Sequence, residues 1–289
     1  AVHVSIAHLH FAHPSQPPLF ADLSAVFSAP LTGLIGDNGC GKTTLMRLIL
    51  GDLTPDSGSL AAPEHMAYLP QDLGLDREQT LAELCGISEI LRALQAVESG
   101  EYSPELYEII GENWDVEERT LAALATYGFT PATVVDRDNS EAVQALFARS
   151  MRSFSGGEAV IAALASLMIS APEFILLDEP TTYLDITHQI EVLNLTKKLH
   201  AEGRTVAVVL HDLNLAFRYA THVVLMKQGR IIAQGDPRAI ITPELIQEVF
   251  DLQSIIIPDP CTGTPLVIPK EHQDIHIAAD AISAARESE

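Results

Sequence analysis

The run Gly36-Asp37-Asn38-Gly39-Cys40-Gly41-Lys42-Thr43-Thr44 constrains this chain more than any other. It follows Leu31-Thr32-Gly33-Leu34-Ile35, which reads as a buried strand, and precedes Leu45-Met46-Arg47-Leu48-Ile49-Leu50, which reads as the first turns of a helix. Strand, glycine-rich loop and helix in that order are the context in which G-x-x-x-x-G-K-[ST] acts as a phosphate-binding P-loop. Glycines let the backbone curl until successive N–H groups point into one concavity, and the helix N-terminus behind them adds its positive end. In such a loop Lys42 reaches the β- and γ-phosphates of ATP, and the Thr43 hydroxyl ligates Mg2+. Gly36, Asn38, Gly39, Cys40, Gly41 and Thr44 complete the expected nucleotide cradle. A glycine-rich turn that binds nothing is the plain alternative; the agreement of strand, loop, Lys-Thr pair and helix speaks against it.

Composition narrows the setting. A chain of 289 residues, 47% of them hydrophobic, can bury a large core. Its longest apolar run, Ala159 to Ile169, falls short of the roughly 18–20 residues that span a membrane. The opening Ala1-Val2-His3-Val4 alternates like a strand rather than a leader. Cys40, Cys85 and Cys261 are scattered and odd in number, which suits a reducing cytoplasm better than a disulfide framework. A formal charge of −22 disfavours a direct grip on nucleic acid phosphates.

Along the chain, Val2 to Ile6 and Phe20 to Phe27 read as strands around the turn Pro14-Ser15-Gln16-Pro17-Pro18. His3, His8, His10 and His13 invite a metal site, but alternating polar positions on a strand account for them equally well. Gly51 to Gly58 reads as a loop and His65 to Leu69 as a strand ending at Pro70-Gln71. The texture then changes. Thr80 to Leu84, Ile87 to Glu98, Pro104 to Ile110 and Val116 to Tyr127 read as amphipathic helices, in a block from 76 to 152 that holds 15 acids and 6 arginines.

Ser155-Gly156-Gly157-Glu158 alone fits a helix capping box. Its place just ahead of Phe174-Ile175-Leu176-Leu177-Asp178-Glu179-Pro180 gives it more weight. That apolar strand reads as central and parallel, and ligands of open α/β sheets bind at strand C-termini. Asp178 is therefore placed to hold Mg2+, and Glu179 to polarise a water for attack on the γ-phosphate. His211 ends the next apolar strand, Thr205 to Leu210, where it can sense the γ-phosphate. A helix from about Thr187 to Ala201, a hairpin of Val223 to Met226 with Arg230 to Gln234, and a short helix Pro243 to Phe250 follow.

The ordered set resembles the ATP-binding cassette (ABC) ATPases: the P-loop at 36–44, Gln71 as the Q-loop, Ser155-Gly156-Gly157 as the signature, Asp178-Glu179 as Walker B, Asp185 as the D-loop and His211 as the switch. The resemblance implies an α/β fold: a P-loop NTPase (RecA-like) core over 1–75 and 153–252, with an N-terminal antiparallel β subdomain. An α-helical subdomain is inserted at 76–152, and 253–289 form a C-terminal extension with a disordered end. It further implies a head-to-tail homodimer in which ATP lies between the P-loop of one copy and the signature of the other, touched by Ser155, Gly156, Gly157 and Asp185. Gln71 is implied to link the metal and the attacking water to the helical block. Phe154 stands where the family usually has Leu. His13 stands where an aromatic usually stacks on adenine, with Phe11 nearby. Cys40 occupies a variable P-loop position and reads as a small filler, an oxidation-sensitive thiol being the alternative.

Within the family, the part from about Ile175 on is similar to ATPases that import ferric siderophores, haem and cobalamin. The carriers include Glu179-Pro180-Thr181-Thr182-Tyr183-Leu184-Asp185-Ile186 and His211-Asp212-Leu213-Asn214-Leu215-Ala216. The part before about Ile169 is more similar to ABC-F translation factors, through Tyr68-Leu69-Pro70-Gln71-Asp72-Leu73, Gly111 to Arg119 and Ser155 to Ala159. ABC-F chains carry two cassettes, whereas this one has a single P-loop. The reading that follows is a transport ATPase at the inner face of the cell membrane, docked on an integral permease; a ribosome-acting ATPase is the alternative.

Overall fold

Alternation along the central strands builds two cores on one sheet. The computed structural model describes residues 2–28, 31–71 and 78–270. In order these form β1 (Val4–Phe11), β2 (Phe20–Phe27), β3 (Leu31–Gly36), α1 (Lys42–Leu50), β4 (Ser57–Ala61) and β5 (Met66–Leu69). The helices α2 (Leu81–Leu84), α3 (Ser88–Glu98), α4 (Pro104–Ile110), α5 (Val116–Thr126), α6 (Thr130–Val134) and α7 (Ser140–Phe147) follow, then α8 (Gly156–Met168). The chain continues through β6 (Phe174–Asp178), α9 (Ile186–Ala201), β7 (Thr205–Val209), α10 (Leu213–Tyr219), β8 (His222–Lys227) and β9 (Arg230–Gly235). It closes with α11 (Pro237–Ile240), α12 (Pro243–Phe250), β10 (Ser254–Pro258) and β11 (Pro265–Pro269).

The main sheet runs β5-β6-β7-β3-β8-β9, parallel except for the final β8–β9 pair. β3, β6 and β7 are buried along their whole length, as parallel strands covered on both faces must be. Successive side chains point to opposite faces. Ile175, Leu177, Val206 and Val208 therefore join a core shared with α5, α7, α8 and α9. Phe174, Leu176, Ala207 and Val209 join the other, against α1 and the β2-β1-β4 sheet. Each such side chain contributes about 1.5–3 kcal/mol on burial, so a one-residue slip of β6 or β7 would misplace both cores.

The structure lengthens and adds elements. The first strand, expected over 2–6, instead covers Val4–Phe11. Pairing with β2 from Val4↔Phe27 to Phe11↔Phe20 carries it on through an irregularity at His8, which has φ 50° and is held by Ser24 and Asp22 of β2. Part of the loop expected at 51–58 is strand: β4 begins at Ser57 and pairs with β1, although Ser-Gly-Ser carries no strand signal of its own. Helices α6, α7, α10 and α11 and the β10–β11 hairpin also lay outside the sequence reading. The Asn214 amide pins that hairpin by bonding both backbone groups of Val267. The far end of the C-terminal extension lies outside the described residues. Among the described residues no group of three or more His, Cys, Asp or Glu is placed to hold a metal ion, so the histidines of the first strand form no such cluster.

Candidate nucleotide site

Four neighbouring parallel strands deliver the site. β3 runs into the P-loop, β5 leads to Gln71, β6 ends at Asp178-Glu179, and β7 leads to His211. At the start of α1, Gly41 has φ 107° and a β-carbon there would lie 2.8 Å from the Phe20 ring, so position and backbone both demand glycine. Lys42 is buried; its Nζ donates to Gly36 O at 2.5 Å and Asp37 O at 2.9 Å. Phosphate oxygens make stronger, charge-assisted bonds than these neutral carbonyls, so an arriving triphosphate can win the ammonium. Cys40 is buried with its Sγ 3.9 Å from Lys42 Nζ. Burial pushes its thiol pKa up against the opposing pull of Lys42, which makes it a small filler with little thiolate to oxidise.

Asp178 is fully buried. Its Oδ2 accepts from Thr43 Oγ1 at 2.8 Å and lies 3.5 Å from the Tyr68 hydroxyl, while Oδ1 is buried with no hydrogen-bond partner. Desolvation raises its pKa, the Thr43 bond opposes this, and the Glu179 charge adds to the rise. Tyr68, pushed up to about 12 mainly by burial and then by the Asp178 charge, stays a neutral phenol there.

Glu179 adopts φ 52°, a left-handed backbone that costs a non-glycine residue roughly 1 kcal/mol or more. The conformation turns its buried carboxylate between three groups. His211 Nε2 lies 2.7 Å from Oε1, and Gln71 Nε2 and, at 3.4 Å, Thr182 Oγ1 donate to Oε2. All three expected catalytic residues thus meet at one carboxylate; of the three Mg2+ candidates, Gln71 is among them, and Thr43 and Asp178 are bonded to each other alongside. Gln71, Glu179, His211 and Thr43 share a cleft of about 610 Å³ with His13, Asn38, Gly39, Gly41, Lys42 and Thr44, while Asp178 lies beneath it, bonded to Thr43. His13 Nε2 sits 3.3 Å from Thr44 Oγ1, and its ring packs edge-on against Phe11 at 5.0 Å. Phe11 is buried beneath it, so His13 alone of the pair faces the cleft.

Ser155, Gly156, Gly157 and Asp185 are not part of that cleft. Ser155 caps α8: its Oγ accepts from Glu158 N at 3.1 Å, and Glu158 Oε2 accepts from Ser155 N at 2.9 Å. The capping box is real, and it leaves Ser155 and Gly156 exposed. Asp185 caps α9 through His188 N, a bond that holds its exposed carboxyl below the usual carboxylate range. A second cleft, of about 570 Å³, separates Pro70-Gln71 from Met151, Phe154 and Gly156 and reaches Glu179. The sequence reading gave no site role to Tyr68, Thr182 or His188. The legible signals were a hydroxyl in an apolar strand, and polar groups three residues beyond Glu179 and Asp185.

A family model described as ABC transporter matches residues 25–182, more than half of the chain. The chain belongs to the ABC transporter family. As an ABC ATPase it is 36% identical over 242 residues to the ferric enterobactin transport ATP-binding protein FepC of Escherichia coli K12, covering 82% of this chain and 83% of that one. It is 38% identical over 243 residues to the petrobactin import ATP-binding protein FpuD of Bacillus anthracis, covering 83% of each. The hemin import ATP-binding protein HmuV of Rhodopseudomonas palustris HaA2 is 34% identical over 257 residues, 85% of this chain and 89% of that one. Among solved structures, a nucleotide-free ATP-binding cassette from an ABC transporter matches with TM-score 0.62 at 19% identity, over 91% of this chain and 97% of that one. At that identity it speaks for the fold, a P-loop NTPase of the ABC type.

Proposed function

We propose that this ABC ATPase powers import of an iron chelate, haem or corrinoid through a membrane permease, working as a homodimer with two composite ATP sites. The observation that carries the reading is the division of the site: the catalytic groups line the P-loop cleft, and Ser155, Gly156, Gly157 and Asp185 do not. The names of its relatives, transport or import proteins for enterobactin, petrobactin and hemin, support the substrate class. In the dimer Ser155 and Gly157 contact the partner's γ-phosphate.

Asp178 Oδ1, buried and unpartnered, and the Thr43 hydroxyl are hard oxygen donors suited to a Mg2+ that keeps water or phosphate as its other ligands. Mg2+ there supplies charge neutralisation at the phosphates. Gln71, bonded to Glu179, would be a further ligand of that Mg2+. Glu179, with both oxygens positioned, takes the proton of the attacking water, and His211 holds the carboxylate and senses the γ-phosphate.

Among the described residues no helix is long and apolar enough to cross a membrane, so the permease supplies the passage. The cleft between the Gln71 loop and Met151-Phe154 is the docking groove, because it joins the γ-phosphate side to the helical block of 76–152. On this reading the protein works at the cytoplasmic face of the membrane, without direct nucleic acid contact. The run Gly111 to Arg119, similar to ABC-F proteins, supports the second reading, an ATPase of the ribosome. Trp114 in that run is exposed and in ring contact with exposed Tyr107. Affinity capture with Glu179→Gln in its native cell separates the two. A co-purifying polytopic membrane protein is expected; ribosomal particles without a permease would overturn the import reading.

A further inference from the structure

His188 lies at the third position of α9 and touches two motifs at once. Its Nδ1 is 2.9 Å from Asp185 Oδ2, and its backbone N–H donates to Asp185 Oδ1 at 2.9 Å, so one residue engages both oxygens of that carboxylate. The other edge of the ring rests on Gly157. A β-carbon there would fall 2.1 Å from His188 Cδ2 and 2.3 Å from Cγ, inside any permitted contact. Beside it, a β-carbon on Gly156 would meet Leu184 Cδ2 at 3.6 Å, an ordinary contact. The first turn of α8 therefore sits on Leu184 and His188, the neighbours of Asp185. Gln189 Nε2 ties the same turn down by bonding Leu184 O at 2.8 Å.

We propose that His188 is a positioning residue: a planar strut, fixed by Asp185, that sets how far the signature turn stands from the Asp185 turn. The proposal rests on the composite-site reading. A rigid ring in contact with backbone passes any shift of the 183–185 turn directly to Ser155–Gly157, where a flexible side chain would absorb it. Of these residues only Tyr183 lines the P-loop cleft; Ser155–Gly157, Leu184, Asp185 and His188 do not, so the strut acts on assembly of the ATP-bound pair and leaves nucleotide capture within one chain alone.

The full-length Glu179→Gln chain, titrated with ATP and Mg2+ and followed by size-exclusion chromatography with light scattering, gives a dimerisation midpoint. Adding His188→Ala is expected to raise that midpoint roughly tenfold, the scale of one lost hydrogen bond to a charged group. Binding of a fluorescent ATP analogue to the monomer is expected to stay constant. His188→Asn, whose amide can stand in for Nδ1, recovers much of the shift. A fall in Tm with an unmoved midpoint overturns the strut and leaves the composite site standing. A Glu179→Gln parent that stays monomeric at saturating ATP overturns both. Should the alanine variant fold poorly, the asparagine variant gives the decision: a midpoint above that of the Glu179→Gln parent but short of tenfold supports the strut, and one equal to the parent's with a Gly157→Ala addition equally unaffected overturns it.

Discussion

The P-loop side and the signature side of this molecule treat their polar groups in opposite ways. On the P-loop side Lys42, Asp178 and Glu179 are buried: Lys42 is held by carbonyls of its own P-loop, Asp178 by Thr43 and Glu179 by Gln71 and His211 from other segments. On the signature side Ser155 and Asp185 are exposed and bonded only within their own helix turns. Tyr183 and Ile186 between them are 98% and 74% exposed. Buried charges must be partnered inside the chain that buries them. Helix caps are satisfied locally and can be presented outward without cost. That contrast is what the proposed function uses: one side to take a nucleotide, the other to be met by a second copy.

Five substitutions test that contrast. Glu179→Gln removes the base while keeping the amide-compatible pocket, so phosphate release should fall by roughly 10²–10⁴-fold with ATP binding retained. Normal turnover would remove Glu179 from the chemistry. Next in size, Lys42→Ala should weaken ATP binding by roughly 10–100-fold in calorimetry, since charge-assisted bonds to the phosphates are lost. Ser155→Arg should bind ATP normally in the same assay and lose turnover. Mixing the two chains should recover hydrolysis through one intact composite site, with a wild-type and mutant mixture as control; no recovery in proven heterodimers would break the division drawn here.

Asp178 offers a pH-dependent test. Burial raises its pKa, so the folded chain holds that proton more tightly than the unfolded one. Its contribution to stability is greatest below the unfolded carboxylate pKa and declines as pH rises through the folded one. Asp178→Asn should accordingly have a higher Tm than wild type at neutral pH without Mg2+, with the advantage shrinking as the solution is acidified. The smallest effect belongs to Arg149, whose guanidinium lies 4.1 Å over the Phe154 ring and bonds Ser153. Arg149→Ala should cost about 0.5–1 kcal/mol, a Tm loss of a few degrees, with only a modest drop in turnover.

Much of the site was legible in advance because its chemistry is written in short windows. The P-loop, Asp178-Glu179 and Ser155-Gly156-Gly157 each combine a glycine or carboxylate signature with a flanking apolar period. His13 and Cys40 were legible only as departures. Their surroundings, a bond toward Thr44 in one case and burial beside Lys42 in the other, come from packing. Tyr68 and His188 had no window of their own to mark them.

By itself the sequence determined the strand–loop–helix units, the alternation that gives β6 and β7 two buried faces, and the residues fit for phosphate, metal and base. Only the tertiary structure decided which of them meet. Gln71 reaches Glu179 across 108 residues because β5 and β6 pair although helices α2 to α8 separate them in the chain, and Thr43 reaches Asp178 across 135 because β3 lies out of chain order, beyond β7. The left-handed turn at Glu179, the strand at Ser57–Ala61 and the seat of His188 on Gly157 have the same origin. Propensity and periodicity act over a few residues. Sheet order and close packing are set by the whole core at once, and no single window contains that information.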